Sequence, residues 1–245
     1  MITKQTGFYE IGGGRGLQVA GARTRVIACA NQKGGVGKTT TAVHLAVGLR
    51  RAGRRVRLID LDPQRNAVLS LCEEDQDATS NGAWWVWSSC SEVELWSPAE
   101  RSADLPASPD FDYVVLDCPP NLENSTQRAL EASDHVLVPL QCEFLAMEGL
   151  TQILARVRAT KPKGDARRTV HVLPVMLEPG SGLHQDILED VWRHLADNIC
   201  RTWIPRDPAF SEASSYGRSL FSQNIRSIGA RAYAKLAREV EDGWT

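Results

Sequence analysis

The sequence predicts an α/β protein built as a doubly wound, mostly parallel sheet. A glycine-rich turn, Lys33-Gly34-Gly35-Val36-Gly37-Lys38-Thr39-Thr40, stands between an apolar run and a stretch with helical spacing. Five strand-like runs alternate with helical stretches along the chain. Two of those runs end in acidic residues, at the end where a parallel sheet collects its working side chains.

The apolar run, Val26 to Ala30, reads as a short buried strand, and Thr41 to Leu49 carries apolar residues at helical spacing. Strand, turn and helix form the context that a phosphate-binding loop requires. The glycines let successive backbone N–H groups point inward at an anion, and the new helix adds its positive end. Lys38 would reach the outer phosphates and Thr39 would place a hydroxyl on Mg²⁺. The standard loop wants a glycine where Gln32 stands, and an additional lysine, Lys33, opens this one. That pattern resembles the deviant P-loop (deviant Walker A) of the ParA/Soj/MinD ATPases, which implies that Lys33 touches nucleotide across a dimer interface.

At 245 residues the chain is long enough to bury a substantial core. The expected organisation is a flexible glycine-rich arm over 1–24 and one ParA-like domain over 25–245. A net charge of −2 excludes a globally basic nucleic-acid binder but not a local patch. No apolar run approaches the roughly 18 residues of a membrane span, and the first 24 residues lack the apolar core of a signal peptide. Six scattered cysteines without a Cys-x-x-Cys pair read as buried thiols in a reducing cytoplasm. The histidines lack ligand spacing, which argues against zinc.

Val56 to Gln64 reads as a second strand ending in Asp60 and Asp62, both placed to approach Mg²⁺ or an attacking water. The stretch resembles the family's Asp-x-Asp-Pro-Gln, in which the second carboxylate, here Asp62, orients the hydrolytic water. The family continues with Gly-Asn, whereas this chain has Arg65-Asn66; Arg65 is tolerable there only with ordinary backbone angles. Residues 72–110 hold an acidic run at 73–77 and then Trp84, Trp85, Trp87 and Trp96. Their acidic and polar neighbours favour a hydrophobic cap or partner surface over base stacking. Phe111 to Pro120 is a third strand ending in Asp117, an apolar run closed by a carboxylate that can hold Mg²⁺, the form of a Walker B element. Asp117-Cys118-Pro119-Pro120 matches the family closely, and Asn121 to Thr126 aligns with its mobile switch region.

Asp134 to Leu140 is a further strand, with His135 at its start, and Gln141 to Leu150 opens a helix that resembles the family almost residue for residue. Arg156, Arg158, Lys161, Lys163, Arg167 and Arg168 form a basic stretch, either a solvated helix end or a set of phosphate contacts. Thr169 to Leu177 reads as a strand, 182–196 as a helix, and Arg201 to Arg206 as the last strand and its exit. The family's Ile-Pro-Arg turn, here with Pro205 and Arg206, lies against the adenine base. Ser211 to Gly217 resembles its Ser-Glu-Ala-x-x-x-Gly. A final helix near 227–241 puts Ile228, Ala232, Leu236 and Val240 on one face, packs on the core and lacks the features of a membrane anchor.

The resemblance spans 25–241 and implies an ATPase that dimerises around two ATP–Mg²⁺. Such proteins bind nucleoid DNA without sequence preference, and a ParB-like or cargo-adaptor partner stimulates their slow hydrolysis. The cycle partitions plasmid or chromosome DNA from the cytoplasm, on the nucleoid, without stable membrane insertion. The implied nucleotide contacts are Lys33, Gly34, Gly35, Val36, Gly37, Lys38, Thr39 and Thr40 of the loop, with Pro205 and Arg206. The metal set is Thr39, Asp62 and Asp117, and the catalytic set is Lys33, Lys38 and Asp62. In one departure, Gly180, Ala209 and Ser227-Ile228-Gly229 stand where the family carries DNA-contacting arginines. Arg206, Arg218, Arg226, Arg231, Lys235 and the 156–168 run could rebuild a patch. Two alternatives stay open: a positioning ATPase for a protein cargo such as a microcompartment or chemoreceptor cluster, and a MinD-like membrane-cycling regulator. A nitrogenase-iron-protein-like carrier shares the loop but needs cluster cysteines, and Cys118 has no second cysteine in suitable context.

Overall fold

In β1 (Arg25–Cys29), β2 (Val56–Asp60) and β6 (Tyr113–Asp117), aliphatic and β-branched residues predominate and nearly every position is buried. Strands of that kind need cover on both faces, which the interior of a parallel sheet provides. The computed structural model describes residues 23–72, 78–80, 83–87, 92–99, 105–106, 108–121, 124–143, 146–160 and 168–244. Nearly all of the arm expected over 1–24, and the acidic run 73–77, lie outside these residues.

The remaining strands are β3 (Thr79–Ser80), β4 (Trp84–Trp87), β5 (Glu94–Pro98), β7 (His135–Gln141) and β8 (Thr169–Val175). The sheet order is β3-β4-β5-β2-β6-β1-β7-β8. Pairing is parallel from β5 through β8, and antiparallel between β3 and β4 and between β4 and β5. Cys29 and Asp60 both pair with Asp117, so the ends of β1, β2 and β6 are level.

Side-chain alternation divides the core. Ile27, Cys29 and Leu58 pack with α1 (Lys38–Arg51), α2 (Asn66–Leu71), α6 (Ala209–Ser215), α7 (Leu220–Gln223) and α8 (Ile228–Glu241). Ala28, Ile59 and Leu116 pack with α3 (Asn124–Ala132), α4 (Ala146–Ala159) and α5 (Gly182–Leu195). Helix α1 lies close against α8: a Cβ on Gly48 would stand 3.2 Å from that of Ala237. Ile228, expected on the packed face of α8, is 51% exposed because it occupies the helix's first position, beyond the core contact.

Two sequence expectations change here. The tryptophan-rich stretch extends the sheet as three short strands: Trp84 and Trp87 are buried, and Trp96 stacks on the Arg57 guanidinium at 4.0 Å. Phe111 covers the other side of that guanidinium at 4.2 Å, and Glu94 neutralises it at 2.8 Å. Arg201 to Arg206 is not a strand. It runs beside β8 and its exit without forming a strand: the Ile204 N–H donates to the Pro174 carbonyl at 2.9 Å and isolated bridges join Val172 to Ile199 and Leu177 to Pro205, while Pro205 has no N–H for a continuous ladder.

His44 in α1 ties this face together. Its ring stacks on Tyr233 at 5.2 Å and meets Phe210 edge-on at 5.0 Å. Nε2 accepts the Leu220 N–H at 3.1 Å, so Nδ1 carries the proton and donates to the Thr40 carbonyl at 2.8 Å. That pattern requires the neutral ring, and burial pushes its pKa down to about 4. Between the ordinary pKa near 6.5 and that value, the unfolded chain binds more protons than the folded one. Stability therefore falls as pH falls through this window, by about 3 kcal/mol when fully expressed. His171, pushed down to about 3 by burial and by His135, acts in the same direction. Urea unfolding of His44→Gln at pH 7 and 4.5 isolates the His44 share. The variant should lose about 2 kcal/mol less than wild type across that interval, and equal losses would reject the assignment.

Candidate nucleotide-binding site

After Cys29 the chain leaves the sheet and curls over its edge. Gly35 and Gly37 take φ of 75° and 79°, where an L-residue would be strained. A Cβ added to Gly34 or Gly35 would meet nothing within 4 Å, so the space above the loop is open to a ligand. Buried Val36 pins the loop to the core. Asn31 braces its entry: Nδ2 donates to the Pro139 carbonyl at 2.8 Å, and Oδ1 accepts the Lys33 N–H at 3.1 Å. Gly37 is the N-cap of α1, and no side chain caps that helix, so its first N–H groups remain available to an anion. Met176, at φ 56° just past β8, comes within 3.7 Å of a Cβ built on Gly37. Sequence reasoning missed this tertiary contact, which no local pattern announces.

Lys38 lies under the loop, 7% exposed, with Nζ donating to the Lys33 carbonyl at 2.9 Å. Burial lowers its pKa, and Asp117 opposes the change. Asp117 is fully buried, and among the described residues neither oxygen makes a hydrogen bond of good geometry. Burial, then the charge of Asp60, push its pKa well up, while the nearby Thr39 hydroxyl and Lys38 pull the other way. An orphaned buried carboxylate is costly, and a divalent cation between Asp117 and Thr39 would satisfy it. The residues present therefore fit Mg²⁺.

Asp60 does not join them. Its carboxylate accepts the N–H groups of Asp62 at 3.0 Å, Ala67 at 2.9 Å and Val68 at 3.3 Å. One oxygen fastens the start of α2 to the end of β2 and the other holds the turn at Asp62, which corrects the expectation that Asp60 can approach the metal or water. Asp62 is half-buried, accepts among the described residues only the Gln64 N–H at 2.9 Å, and is close enough to Lys38 to act on its charge. Arg65 adopts φ 53° and ψ 39° as N-cap of α2, contrary to the ordinary angles expected of it. The turn closed by Arg65 N–H on the Asp62 carbonyl, at 2.9 Å, imposes that conformation.

Lys33 points away from the loop's interior: Nζ pairs with Glu143 Oε2 at 2.5 Å. Pro205 is buried against Leu177, which brings the 204–206 turn to the same end of the sheet, and Arg206 pairs with Glu178. Thr40 carries the carbonyl that His44 holds. The switch stretch is described only at Asn121 and from Asn124 onward. Beside Asp62 opens a cleft of about 700 Å³, walled by Arg65, Ser97, Pro98, Pro119, Asn121 and Ser125.

The basic stretch divides. Arg168 donates to the carbonyls of Leu130, Val157 and Thr160, so it closes α3 and α4 and offers nothing to a phosphate. Arg156 donates to Gln127 at 3.1 Å, and 161–167 lie outside the described residues. Gly180 takes φ 92°, a conformation that would strain an arginine. On α8 the exposed outer stripe carries Arg231, Lys235 and Arg238. Among the described residues no helix is long and apolar enough to cross a membrane.

The CobQ/CobB/MinD/ParA nucleotide binding domain model matches residues 27–220. The chain is 36% identical to the sporulation initiation inhibitor protein Soj of Bacillus subtilis (strain 168), covering 88% of this chain and 98% of that one. It is 35% identical to the chromosome-partitioning ATPase Soj of Thermus thermophilus, covering 89% and 96%. Among solved structures it resembles cobyrinic acid a,c-diamide synthase from Mycobacterium smegmatis with bound ADP and magnesium. There the TM-score is 0.70 and the identity 29%, over 90% of this chain and 95% of that one.

Proposed function

The chain belongs to the CobQ/CobB/MinD/ParA nucleotide-binding family and is a ParA-type ATPase that uses ATP and Mg²⁺; from that premise we propose that it partitions or positions plasmid or chromosome DNA. In this reading it dimerises on ATP, binds DNA without sequence preference on the nucleoid, and hydrolyses ATP when an adaptor protein stimulates it.

The observation that carries the nucleotide chemistry is the orphaned carboxylate of Asp117 beneath a loop whose glycines face open space. Lys38 and the loop amides, Gly34 to Thr40, would neutralise the triphosphate. Thr39, Asp62 and Asp117 would hold Mg²⁺, which when bound neutralises charge on the outer phosphates. Asp62, with one oxygen uncommitted, would orient the attacking water. Lys33 would exchange Glu143 for the partner subunit's phosphates and offset charge developing in the transition state. Both Lys33 and Glu143 are partly exposed, so their pairing is worth little and yields readily. Pro205 and Arg206 would flank the base.

The DNA reading draws on the α8 stripe. Arg206 pairs with Glu178 and Arg168 is spent on carbonyls, whereas Arg226, Arg231, Lys235 and Arg238 are exposed cations on or beside one helix. Along a helix Arg231, Lys235 and Arg238 rise by about 6 and about 4.5 Å and face one side, a geometry that suits successive phosphates. The same face carries charge where a membrane anchor would carry apolar bulk, which disfavours the MinD-like alternative.

Binding to random-sequence duplex DNA, with ATP and with ADP over a salt titration, tests the proposal. ATP-dependent binding that weakens steeply with salt, with a slope reduced in Arg231→Ala/Lys235→Ala, is the expected result. Intact ATP-dependent dimers that bind no DNA would overturn the DNA role and leave a protein cargo as the reading to pursue.

A further inference from the structure

We infer that the turn between α7 and α8 is an apolar wedge: Ile225 and Ile228 enter between base pairs of duplex DNA from the minor groove, while the cations beside them hold the flanking phosphates. The inference rests on the DNA reading above and adds a contact to the bases that charge alone does not supply.

Two kinds of side chain meet on this surface. Between Glu212 and Glu239 the chain carries Arg218, Arg226, Arg231, Lys235 and Arg238 and no acidic residue. Helix α8 exposes Ile228, Arg231, Lys235 and Arg238, and its other residues are buried or half-buried. Those exposed positions are three or four residues apart, so they share one side of the helix. Ile228 therefore stands in line with the cations, 51% exposed, and Ile225 just before it is 49% exposed. Isoleucine is among the residue types most often buried, and a single exposed one would call for no explanation. Here two of them bracket Arg226 at the head of a cationic row.

The backbone beneath both is fixed. The Ser227 N–H closes on the Asn224 carbonyl at 3.0 Å, which puts Ile225 and Arg226 at the tip of a β-turn. The Asn224 N–H donates to the Leu220 carbonyl at 2.8 Å and ties that turn to α7. On the other side, Ser227 Oγ accepts the Ala230 N–H at 2.9 Å, and Asp207 Oδ2 accepts the Gly229 N–H at 3.0 Å. Gly229 lies so close to the Phe210 ring that an added Cβ would stand 2.5 Å from it. A tip held this way loses little backbone freedom when it binds.

The combination selects the partner. A duplex presents phosphates on both rims of a minor groove about 6 Å wide, with apolar base faces stacked beneath, and aliphatic wedges enter such steps by partly unstacking them. Arg226 adjoins the tip, and Arg231 lies about 4.5 Å along the axis from Ile228, so cations stand on both sides of the wedge. A membrane surface also sets phosphate over an apolar layer. A helix lying on it needs an apolar face along its length, however, and every exposed α8 position after Ile228 is cationic. An aliphatic wedge reads no hydrogen-bond pattern, which suits binding without sequence preference.

The test uses the full chain with ATP–Mg²⁺ and a random-sequence duplex of about 30 base pairs, with 2-aminopurine at several positions and a dye at each end. Wild-type binding should raise 2-aminopurine emission as bases unstack and bring the dyes closer as the duplex kinks. Ile225→Ser/Ile228→Ser should bind about ten-fold more weakly with an unchanged salt slope and give neither signal, whereas Ile225→Leu/Ile228→Leu should keep both. Both side chains are exposed, so the melting temperature and DNA-free ATP hydrolysis of the serine variant should match wild type. Wild-type affinity in the serine variant, or wild-type binding without unstacking and kinking, would overturn the inference and leave the DNA reading standing. Absence of duplex binding by the wild type, with ATP-dependent dimers intact, would sink both. Capture of the wild type but not the serine variant by phosphatidylglycerol–phosphatidylcholine vesicles would then assign the isoleucines to a lipid surface.

Discussion

Lys38→Ala should bind neither ATP nor ADP at concentrations that saturate the wild type. Lys38 is the buried cation beneath the open loop, and among the described residues its ammonium donates to the Lys33 carbonyl alone. Removing it leaves the triphosphate to the amides of Gly34 to Thr40 and leaves Asp117 facing the phosphates without a compensating positive charge. Truncating one partner of a buried charge pair costs about 2–5 kcal/mol, a loss of roughly 30-fold to several thousand-fold in affinity. The fold should survive, because the ammonium contributes a single internal bond and its burial is itself unfavourable in the free chain. Equilibrium binding of a fluorescent ATP analogue, with a melting curve as control, decides it. Wild-type affinity in a folded variant would remove Lys38 from the site.

Asp62→Ala should bind ATP, dimerise and fail to turn over. Among the described residues the carboxylate makes one local hydrogen bond, through one oxygen, so its loss leaves nucleotide contacts largely in place. A group that orients or deprotonates the attacking water contributes on the order of 10²–10⁴-fold to the rate. Single-turnover hydrolysis at saturating ATP, set beside light scattering for dimers, separates binding from chemistry. A variant that hydrolyses within a few-fold of wild type would place the water under another residue. Asp60→Ala makes an informative contrast: it should lose stability, because two N–H groups at the start of α2 and that of Asp62 lose their acceptor.

Much of the site was legible because its chemistry is local. Gly34, Gly35, Gly37 and Lys38 fall within five residues between a strand and a helix, and Asp117 closes an apolar run, so local pattern pointed to both, with the family resemblance supplying the reading of the non-standard loop and the weight given to Asp117. The roles of Asp60 and Asp62 were not separable by spacing. They differ because the chain turns at Asp62 and starts α2 four residues later, so that helix consumes one carboxylate and not the other. Strands β3 to β5 escaped notice because they are two to five residues long and their tryptophans are flanked by charge. The apparent strand at Arg201 to Arg206 had the right composition but a proline where a ladder needs a donor. Arg168 read as one cation among six, although three backbone carbonyls across two helices had already claimed it.

The level row of Cys29, Asp60 and Asp117 bears on how the protein comes into being. These neighbours in space are far apart in sequence, and β6 must slide between β1 and β2 before any of them meet. Contacts of such long range form slowly, because loop closure must precede them. No nascent chain shorter than Arg25 to Asp117 can assemble the phosphate loop against its acidic floor. On the ribosome, a competent site arises only after roughly half the polypeptide has emerged, and β1 and β2 must wait in the meantime with the place for their central neighbour unfilled.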